Sequence, residues 1–132
     1  MLCYHKRMKD ESTTLAELKD YADNFRRERD WNKHHTHANL SMSIAIEAAE
    51  LMEKFQWGDY TTDDAAKEVR DELADIIVYC LYLASSDGID IAATVEAKLK
   101  KAAKKYPVEL FNKDRDDPAD YWRIKKQHRG KA

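Results

Sequence analysis

The fold of this chain is decided by the stretch EVRDELADIIVYCLYLASS, which occupies residues 68–86. Every residue from Ile76 to Leu83 is aliphatic, aromatic or cysteine, so a helix here is apolar nearly all round over two turns. A helix with that pattern is buried on every side. Because three other short helices can hardly surround it, we expect a homo-oligomer, a dimer or a tetramer, in which a second copy covers one face, most simply across a two-fold axis. The alternative is an unusually apolar surface.

The composition favours an all-α fold with one core. The chain has 132 residues with only three glycines and two prolines, and it is rich in alanine, leucine, glutamate and lysine. Such a composition is typical of helical domains. We expect a flexible N-terminus at 1–12, a four-helix bundle at 13–109 that oligomerisation completes, and a C-terminal tail at 110–132 that can carry a short helix.

Capping signals set the predicted ends of the helices. Thr14-x-x-Glu17 is a capping box and opens a first helix that runs to about Arg29. Asn39 is predicted to cap a second helix that runs to about Gln56. A third helix is predicted to begin within 61–64 and to end near Ser86, and a fourth to begin at Asp90 and to end before Pro107. A short helix in the tail is predicted to begin at Asp117-Pro118.

Charge and apolar runs argue against several classes of partner. The net charge of −2 gives no polyelectrolyte signal, so we expect no nucleic acid or membrane partner, and the basic tail at 125–131 supports nucleic-acid binding only weakly. The longest apolar run is far shorter than the roughly 20 residues that span a bilayer, and the polar N-terminus shows no secretory signal. With Cys3 near the N-terminus and Cys80 predicted in the core, we expect no disulfide and a cytoplasmic protein.

Two acidic pairs, Glu47-x-x-Glu50 and Glu72-x-x-Asp75, form a candidate metal site. Residues three apart on a helix are surface neighbours, so each pair presents two mutually repelling carboxylates in one direction. Two such pairs that face each other need a cation, and ligands that are all oxygen suit Mg²⁺. The alternative is chance, because a chain that is 36% charged also places such pairs on solvated helix faces.

The position of the pairs favours the metal site. At about 100° per residue, Glu47 lies at the edge of the apolar stripe that contains Leu40, and Glu50 lies one step further round. Glu72 borders the stripe of the next helix, which comprises Val69, Leu73, Ile77, Cys80 and Ala84. A carboxylate at the margin of a buried face is rarer than one in open solvent and needs a partner.

The fourth predicted helix has a basic side. Its apolar stripe is predicted to comprise Ile91, Val95, Leu99, Ala102 and Tyr106. Lys98, Lys101 and Lys105 flank that stripe and could meet phosphates. A solvated basic face is the commoner arrangement near a helix C-terminus, where the helix dipole favours cations.

Six short motifs follow one another along the chain. They are Glu28-Arg29-Asp30-Trp31, Asn39-Leu40, Glu47-Ala48-Ala49-Glu50-Leu51 leading to Phe55-Gln56-Trp57, Glu72-Leu73-Ala74-Asp75 leading to Tyr79, Gly88-Ile89-Asp90, and Lys105-Tyr106-Pro107-Val108-Glu109. Any one alone is weak, but their order and spacing together are specific. Over roughly 15–109 the chain resembles the all-α nucleoside triphosphate pyrophosphohydrolases of the MazG-like superfamily, and within it the dCTP pyrophosphatase-like branch.

The resemblance implies a Mg²⁺-dependent hydrolase that converts a nucleoside triphosphate, such as dCTP or a modified pyrimidine nucleotide, to its monophosphate and pyrophosphate. The family's four metal-binding positions fall on Glu47, Glu50, Glu72 and Asp75, which are the predicted catalytic residues. Positions that line the nucleoside pocket of the dCTP branch fall on Trp31, Trp57 and Tyr79, and His35 also matches a family position. Indole and phenol rings can stack on a base, although Trp31 and Trp57 could equally close the ends of the core. Lys98 is a further candidate for substrate binding.

The chain departs from the dCTP branch at three positions. Ala22 stands where the branch has a histidine, Ala38 where it has a basic residue, and Ala102 where it has an asparagine. These differences concern base and phosphate contacts, for which His37 or a lysine of the fourth helix is a candidate substitute.

Two alternatives to the hydrolase site remain open at this level. The histidines at 34, 35 and 37 could form a transition-metal site, although loop histidines are more often solvated. The rival function is a non-catalytic helical oligomerisation or binding module, in which the acidic pairs only solvate the helices or bind a structural ion. Under the hydrolase hypothesis, water attacks the α-phosphorus in line, and Glu50 is the candidate to orient or deprotonate it.

Overall fold

A computed structural model of the chain describes residues 7–58, 62–111 and 117–129. Within these ranges the chain forms five α-helices and no β-strand, which confirms the predicted all-α class. The helices are α1 (Leu15–Glu28), α2 (His37–Glu53), α3 (Asp63–Ser86), α4 (Ile91–Lys105) and α5 (Pro118–Gln127), and 3₁₀ turns lie at Trp31–Lys33 and Val108–Leu110. Cys3 and the end of the basic tail lie outside the described ranges.

The predicted starts of α1, α3, α4 and α5 are confirmed by their N-caps. Thr14 and Glu17 form the complete capping box of α1. At the other three helices the side chain of the capping residue accepts a backbone N–H of the first turn, and these residues are Thr62, Asp90 and Asp117. Local capping chemistry therefore sets these boundaries.

The predicted start of α2 at Asn39 is wrong. Thr36 caps this helix, because its hydroxyl accepts the backbone N–H of Asn39 and so places Asn39 inside the first turn. The Asn39 side chain instead donates to the carbonyl oxygen of His34 at 2.8 Å. The helix also ends at Glu53 rather than near Gln56.

α2 and α3 pack against each other as an antiparallel pair. At one end, Nε2 of His37 lies 2.5 Å from Oδ1 of Asp87. At the other end, Nζ of Lys54 lies 3.3 Å from Oε2 of Glu68 and 3.2 Å from Oε1 of Glu72. The start of α2 therefore meets the end of α3, and the end of α2 meets the first half of α3.

The core of this first unit lies where α1 and α2 meet the C-terminal half of α3. Its buried apolar residues include Ala22, Leu40, Leu81, Tyr82 and Ala84. Removing these side chains from water stabilises the packing of the three helices. α3 is thus the element that positions both of its neighbours.

A buried ion pair within α1 also contacts α3, through Arg26. The Arg26 side chain donates from Nε to Oδ1 of Asp23 at 2.7 Å and from a terminal nitrogen to Oγ of Ser86 at 3.2 Å. Arg27 also pairs with the Asp23 carboxylate, from the solvent side. Burial would raise the pKa of Asp23, but hydrogen bonds from Arg27 and Arg26 lower it below its usual value. The sequence does not single out this pair, because many acidic and basic residues stand three or four apart in this chain and the spacing does not show which of them are buried.

Two predicted apolar stripes are more exposed than their periodicity indicates. On α3, Leu73, Ile77 and Cys80 are exposed, so the prediction that Cys80 is a core residue is wrong for the single chain. On α4, Val95 and Leu99 are exposed as well. Periodicity identifies an apolar face, but the neighbouring helices decide which part of it is covered. That a second copy covers the exposed face of α3 stays a prediction.

α4 and α5 belong to a second compact unit that begins at Asp90. The ring of Tyr106, directly after α4, stacks on Tyr121 of α5 with 5.6 Å between ring centroids and 19° between ring planes. Ile124 of α5 is buried. The short helix predicted for the tail is therefore confirmed, and it docks beside the C-terminal end of α4.

No single helix in the described ranges is long and apolar enough to cross a membrane. Only α3 and α4 taken together, as a pair with a break between them, reach the necessary length and composition.

Candidate functional site

Three of the four predicted carboxylates converge between α2 and α3, and we call them the acidic group: Glu47, Glu50 and Glu72. One carboxylate oxygen from each residue lies within 4.8 Å of those of the other two. The spacing of three residues places Glu47 and Glu50 on one side of α2, and the antiparallel packing brings Glu72 to that side from α3. The geometry thus follows from one local rule and one tertiary contact.

Asp75, the fourth predicted carboxylate, lies outside the acidic group, but its negative charge acts on Glu47. Burial, and then the charges of Glu50, Asp75 and Glu72, raise the pKa of Glu47 above its usual value. Glu47 is half-buried, as its position at the edge of the apolar stripe predicts. A carboxylate held among like charges at such a margin is unfavourable unless a cation lies near it.

The donors of the acidic group fit a divalent cation that prefers oxygen ligands. Among the described residues the group consists of carboxylates alone, and a single ion can reach all three. Burial first, and then the neighbouring carboxylates, raise the pKa of Glu47, and a bound cation would stabilise its charged form against both effects. Mg²⁺ takes oxygen ligands and keeps several waters, so a set of few carboxylates with one exposed member, Glu50, suits it.

Lys54, which sequence reasoning missed, lies against the acidic group. Its ammonium contacts Glu72 and Glu68, and its side chain is 26% exposed while that of Glu72 is 14% exposed. Hydrogen bonds to Glu72 and then to Glu68 raise the pKa of Lys54 above its usual value, so it is a cation at neutral pH. Along the sequence Lys54 stands four residues after Glu50, a spacing that predicts a pair along α2 rather than this contact across to α3.

An aromatic cluster forms beside the acidic group along α3, from Phe25, Trp31, His35, Tyr79 and Tyr82. The centroid of the His35 ring lies 6.3 Å from that of Trp31, 6.4 Å from that of Tyr79 and 5.1 Å from that of Tyr82. Phe25 meets Trp31 edge to face at 5.7 Å. Trp31 remains partly open to solvent, so it offers an aromatic face to a flat ligand ring. Phe25 and Tyr82 were missed, because in the sequence they read as ordinary core residues.

His35 is the polar member of this cluster. Its Nδ1 is buried and has no hydrogen-bond partner among the described residues. Burial, and then the positive charges of Arg26 and His34, lower the pKa of His35 below its usual value, which keeps the ring neutral at pH 7. A buried polar nitrogen without a partner is costly, and a water or a polar group of a ligand would relieve that cost.

α3 carries residues of both groups on one face. Asp75 and Tyr79 are four residues apart, and Glu72 and Tyr79 are seven apart, so they are neighbours along the same side of the helix. Seven residues correspond to about 10.5 Å along the helix axis. One elongated ligand can therefore meet the aromatic cluster at one end and the acidic group at the other.

Two further predicted binding residues are Trp57, in the first unit, and Lys98, in the second. Trp57 is 91% exposed and makes no ring contact in that part of the chain. Lys98 lies on α4, in the second unit, where it lines a groove of about 520 Å³ with Lys101, Lys105 and Tyr106. A role for Trp57 or Lys98 in substrate binding stays a prediction.

The histidines of the loop and of the first turn of α2 have separate surroundings. His37 pairs with Asp87, whereas His35 lies among aromatic rings. Among the described residues, no histidine belongs to a group arranged to hold a metal ion. The structure therefore gives the transition-metal alternative no support within those ranges.

Comparisons with known proteins extend these observations. The chain matches the model of the MazG-like family over residues 42–116. It is 32% identical over 104 residues to dCTP pyrophosphatase 1 of Mus musculus and 30% identical over 106 residues to dCTP pyrophosphatase 1 of Homo sapiens, and each match covers 74% of this chain. The chain spans only 61% of the length of either relative. Its structure is similar to the crystal structure of a pyrophosphatase from Archaeoglobus fulgidus, with a TM-score of 0.64 and 36% sequence identity, over 76% of this chain and 99% of that one.

Proposed function

The chain belongs to the MazG-like family, and we propose that it is a Mg²⁺-dependent pyrophosphohydrolase that converts a nucleoside triphosphate to its monophosphate and pyrophosphate. The observation that carries this proposal is the acidic group, whose three carboxylate oxygens lie within 4.8 Å of one another on the face of α3 that also bears Tyr79 of the aromatic cluster. The relatives named dCTP pyrophosphatase 1 support a pyrimidine deoxynucleotide, either dCTP or a modified form of it, as the substrate class.

The carboxylates have distinct proposed roles. Glu47, Glu50, Glu72 and Asp75 would hold the metal, which when bound would neutralise negative charge on the phosphate oxygens during the reaction. Glu50 is the exposed member of the acidic group, so it is the residue that water reaches, and we assign it to orient the attacking water and to accept its proton. The water oxygen forms a bond to the α-phosphorus as the bond from that phosphorus to the bridging oxygen breaks, and pyrophosphate leaves.

The aromatic cluster is proposed to bind the base. Trp31 offers a partly open ring for stacking. His35 is neutral at pH 7 because its pKa is lowered, so its unpartnered Nδ1 can form a hydrogen bond to a polar edge without adding charge to the pocket. Tyr79 completes this end of the site from α3.

A product assay tests the proposal. Purified protein is incubated with MgCl₂ and a panel of canonical and modified triphosphates, and we expect monophosphate and pyrophosphate to appear in equal amounts. Glu50→Gln and Glu72→Gln should abolish turnover while the helical circular dichroism is retained. Glu53→Gln is the matched control, because Glu53 is an exposed glutamate of α2 outside the acidic group. Orthophosphate as the first product, or full activity of Glu72→Gln, would refute the mechanism.

The rival function, a non-catalytic helical module, makes a different prediction. A ligand that binds the native state raises its thermal stability, so the enzyme should be stabilised by MgCl₂ and a bound nucleotide together. A shift with MgCl₂ alone, with none of the nucleotides hydrolysed, would favour a module that binds a structural ion.

We also propose that the working form is a homo-oligomer, a dimer or a tetramer. The exposed apolar residues Leu73 and Ile77 on α3 support it, because contiguous apolar surface of this kind is typical of subunit interfaces.

A further inference from the structure

Lys54 plays no part in the proposed reaction, yet its ammonium group touches the acidic group. It lies 3.2 Å from Oε1 of Glu72 and 3.3 Å from Oε2 of Glu68. The Glu72 side chain is largely buried, whereas that of Glu68 is well exposed and lies outside the acidic group. Lys54 therefore bridges one carboxylate of the candidate metal site and one carboxylate beside it.

The ammonium group and a divalent cation would compete for Glu72. Both are cations, both interact with the same carboxylate, and they repel each other at short distance. Glu68 and Glu72 are four residues apart on α3 and hence neighbours on its surface. An ammonium released from Glu72 can thus remain paired with Glu68, and the flexible four-carbon stem of lysine allows that small shift.

We propose that Lys54 is a built-in counter-cation of the acidic group, which pairs with Glu72 while the metal is absent and is displaced onto Glu68 when a divalent cation binds. Two consequences follow. Lys54 stabilises the metal-free fold by offsetting the repulsion among the carboxylates, and it lowers the affinity of the site for the metal. The inference rests on the proposed function only in that the acidic group binds a divalent cation.

The test compares metal binding by intact variants that differ at one charge. Binding of Mn²⁺ is followed by the relaxation of water protons and binding of Mg²⁺ by competition, without nucleotide. Lys54→Met keeps most of the apolar stem and removes the charge, and we expect it to bind either metal about fivefold more tightly, the upper end for a partly exposed ion pair. Without metal, this variant should melt at a lower temperature than the wild type.

Lys67→Met is the matched control. Lys67 is an exposed lysine of α3 that makes no ion pair within the described ranges. Its loss removes one positive charge from the same helix, so it measures the change in affinity that comes from net charge alone. Lys54→Arg keeps the charge at the original place, and we expect it to bind the metal like the wild type.

Glu68→Gln tests the displacement itself. Without Glu68 the ammonium has only Glu72 as a partner, so this substitution should weaken metal binding in the wild-type background. In the Lys54→Met background, Glu68→Gln should weaken metal binding much less, because no ammonium group is left to compete for Glu72. The only remaining effect is the loss of one nearby negative charge. Equal effects in the two backgrounds would mean that Glu68 does not receive the ammonium.

The possible results separate the inference from the proposed function. Unchanged binding by Lys54→Met would overturn the inference, and weaker binding would mean instead that Lys54 orients Glu72 for the metal. If Lys54→Met does not fold, Lys54→Gln serves in the same comparison. A wild-type protein that binds neither Mn²⁺ nor Mg²⁺ would refute the metal site and this inference together, whereas binding that depends on Glu47 and Glu50 but not on Lys54 would refute this inference alone.

Discussion

Replacing Arg26 with methionine probes the buried ion pair of α1 and the contact that its arginine makes with α3. The Arg26 side chain is only 5% exposed and the Asp23 side chain 11% exposed. The guanidinium also donates to Oγ of Ser86 and lies 5.1 Å from the centroid of the Tyr82 ring. Methionine fills a similar volume but leaves the Asp23 carboxylate and the Ser86 hydroxyl without this donor.

The expected loss of stability follows from that geometry. Removing one partner of a buried ion pair costs about 3–5 kcal/mol, because the other charge remains buried. Arg27 still pairs with Asp23 from the solvent side, so we expect the lower end, about 3 kcal/mol. For a domain whose free energy of unfolding is about 5–15 kcal/mol, that is a large fraction.

Urea unfolding, followed by circular dichroism at fixed protein concentration, measures this difference. Arg27→Met is the matched control, since it removes a pair with the same Asp23 carboxylate but its side chain is 57% exposed. An exposed pair contributes at most about 1 kcal/mol. Because the charge of Arg26 lowers the pKa of His35, the Arg26 variant should also raise that pKa, which NMR titration of the ring can follow.

A loss below about 1 kcal/mol for Arg26→Met, equal to that of the Arg27 control, would refute this reasoning. It would mean that the buried pair contributes no more than a surface pair. A strong loss of stability without a change in the pKa of His35 would separate the two effects and refute only the electrostatic coupling.

Further predictions concern other parts of the first unit. In EDTA, Glu47→Gln should increase the free energy of unfolding by about 0.5 kcal/mol and so raise the melting temperature, because it removes like-charge repulsion. This gain should disappear in MgCl₂. The pKa of His35 is lowered in the folded state, so below about pH 6.5 the unfolded chain binds the proton more readily, and stability should decrease as the pH falls. His35→Gln should weaken that dependence strongly, whereas His34→Gln should weaken it less, because burial is the largest cause of the lowered pKa and the charge of His34 is a smaller one. Ile77→Asp should convert the predicted oligomer to monomers in light scattering. Gly88→Ala should cost about 1 kcal/mol in urea unfolding, because Gly88 has a φ of +62°.

Each of these has a result that contradicts it. A Glu47 variant that melts no higher than the wild type in EDTA would argue against repulsion within the acidic group. An unchanged pH dependence after His35→Gln would place the responsible group elsewhere. A wild-type protein that is already monomeric would remove the basis for the interface on α3.

Much of the site was predictable, because its parts are local. The acidic pairs follow from a spacing of three residues, and the half-buried position of Glu47 follows from its place beside an apolar stripe. The family resemblance identified Trp31, His35 and Tyr79, which the structure brings into one cluster. Among the described residues, Asp75 is not one of the three carboxylates that form the acidic group, and Trp57 is exposed to solvent rather than part of the aromatic cluster.

The sequence by itself determined the all-α class, most of the helix ends and the candidate acidic residues, because capping, apolar periodicity and helix spacing act over no more than a few residues. Only the tertiary structure decided that Lys54 reaches Glu72, that Arg26 is buried with Asp23, and that the stripe of α3 through Ile77 and Cys80 stays exposed in the single chain. Those contacts depend on how each helix is rotated and shifted against its neighbours. That arrangement is set by side-chain packing between segments distant in sequence, which no local pattern encodes.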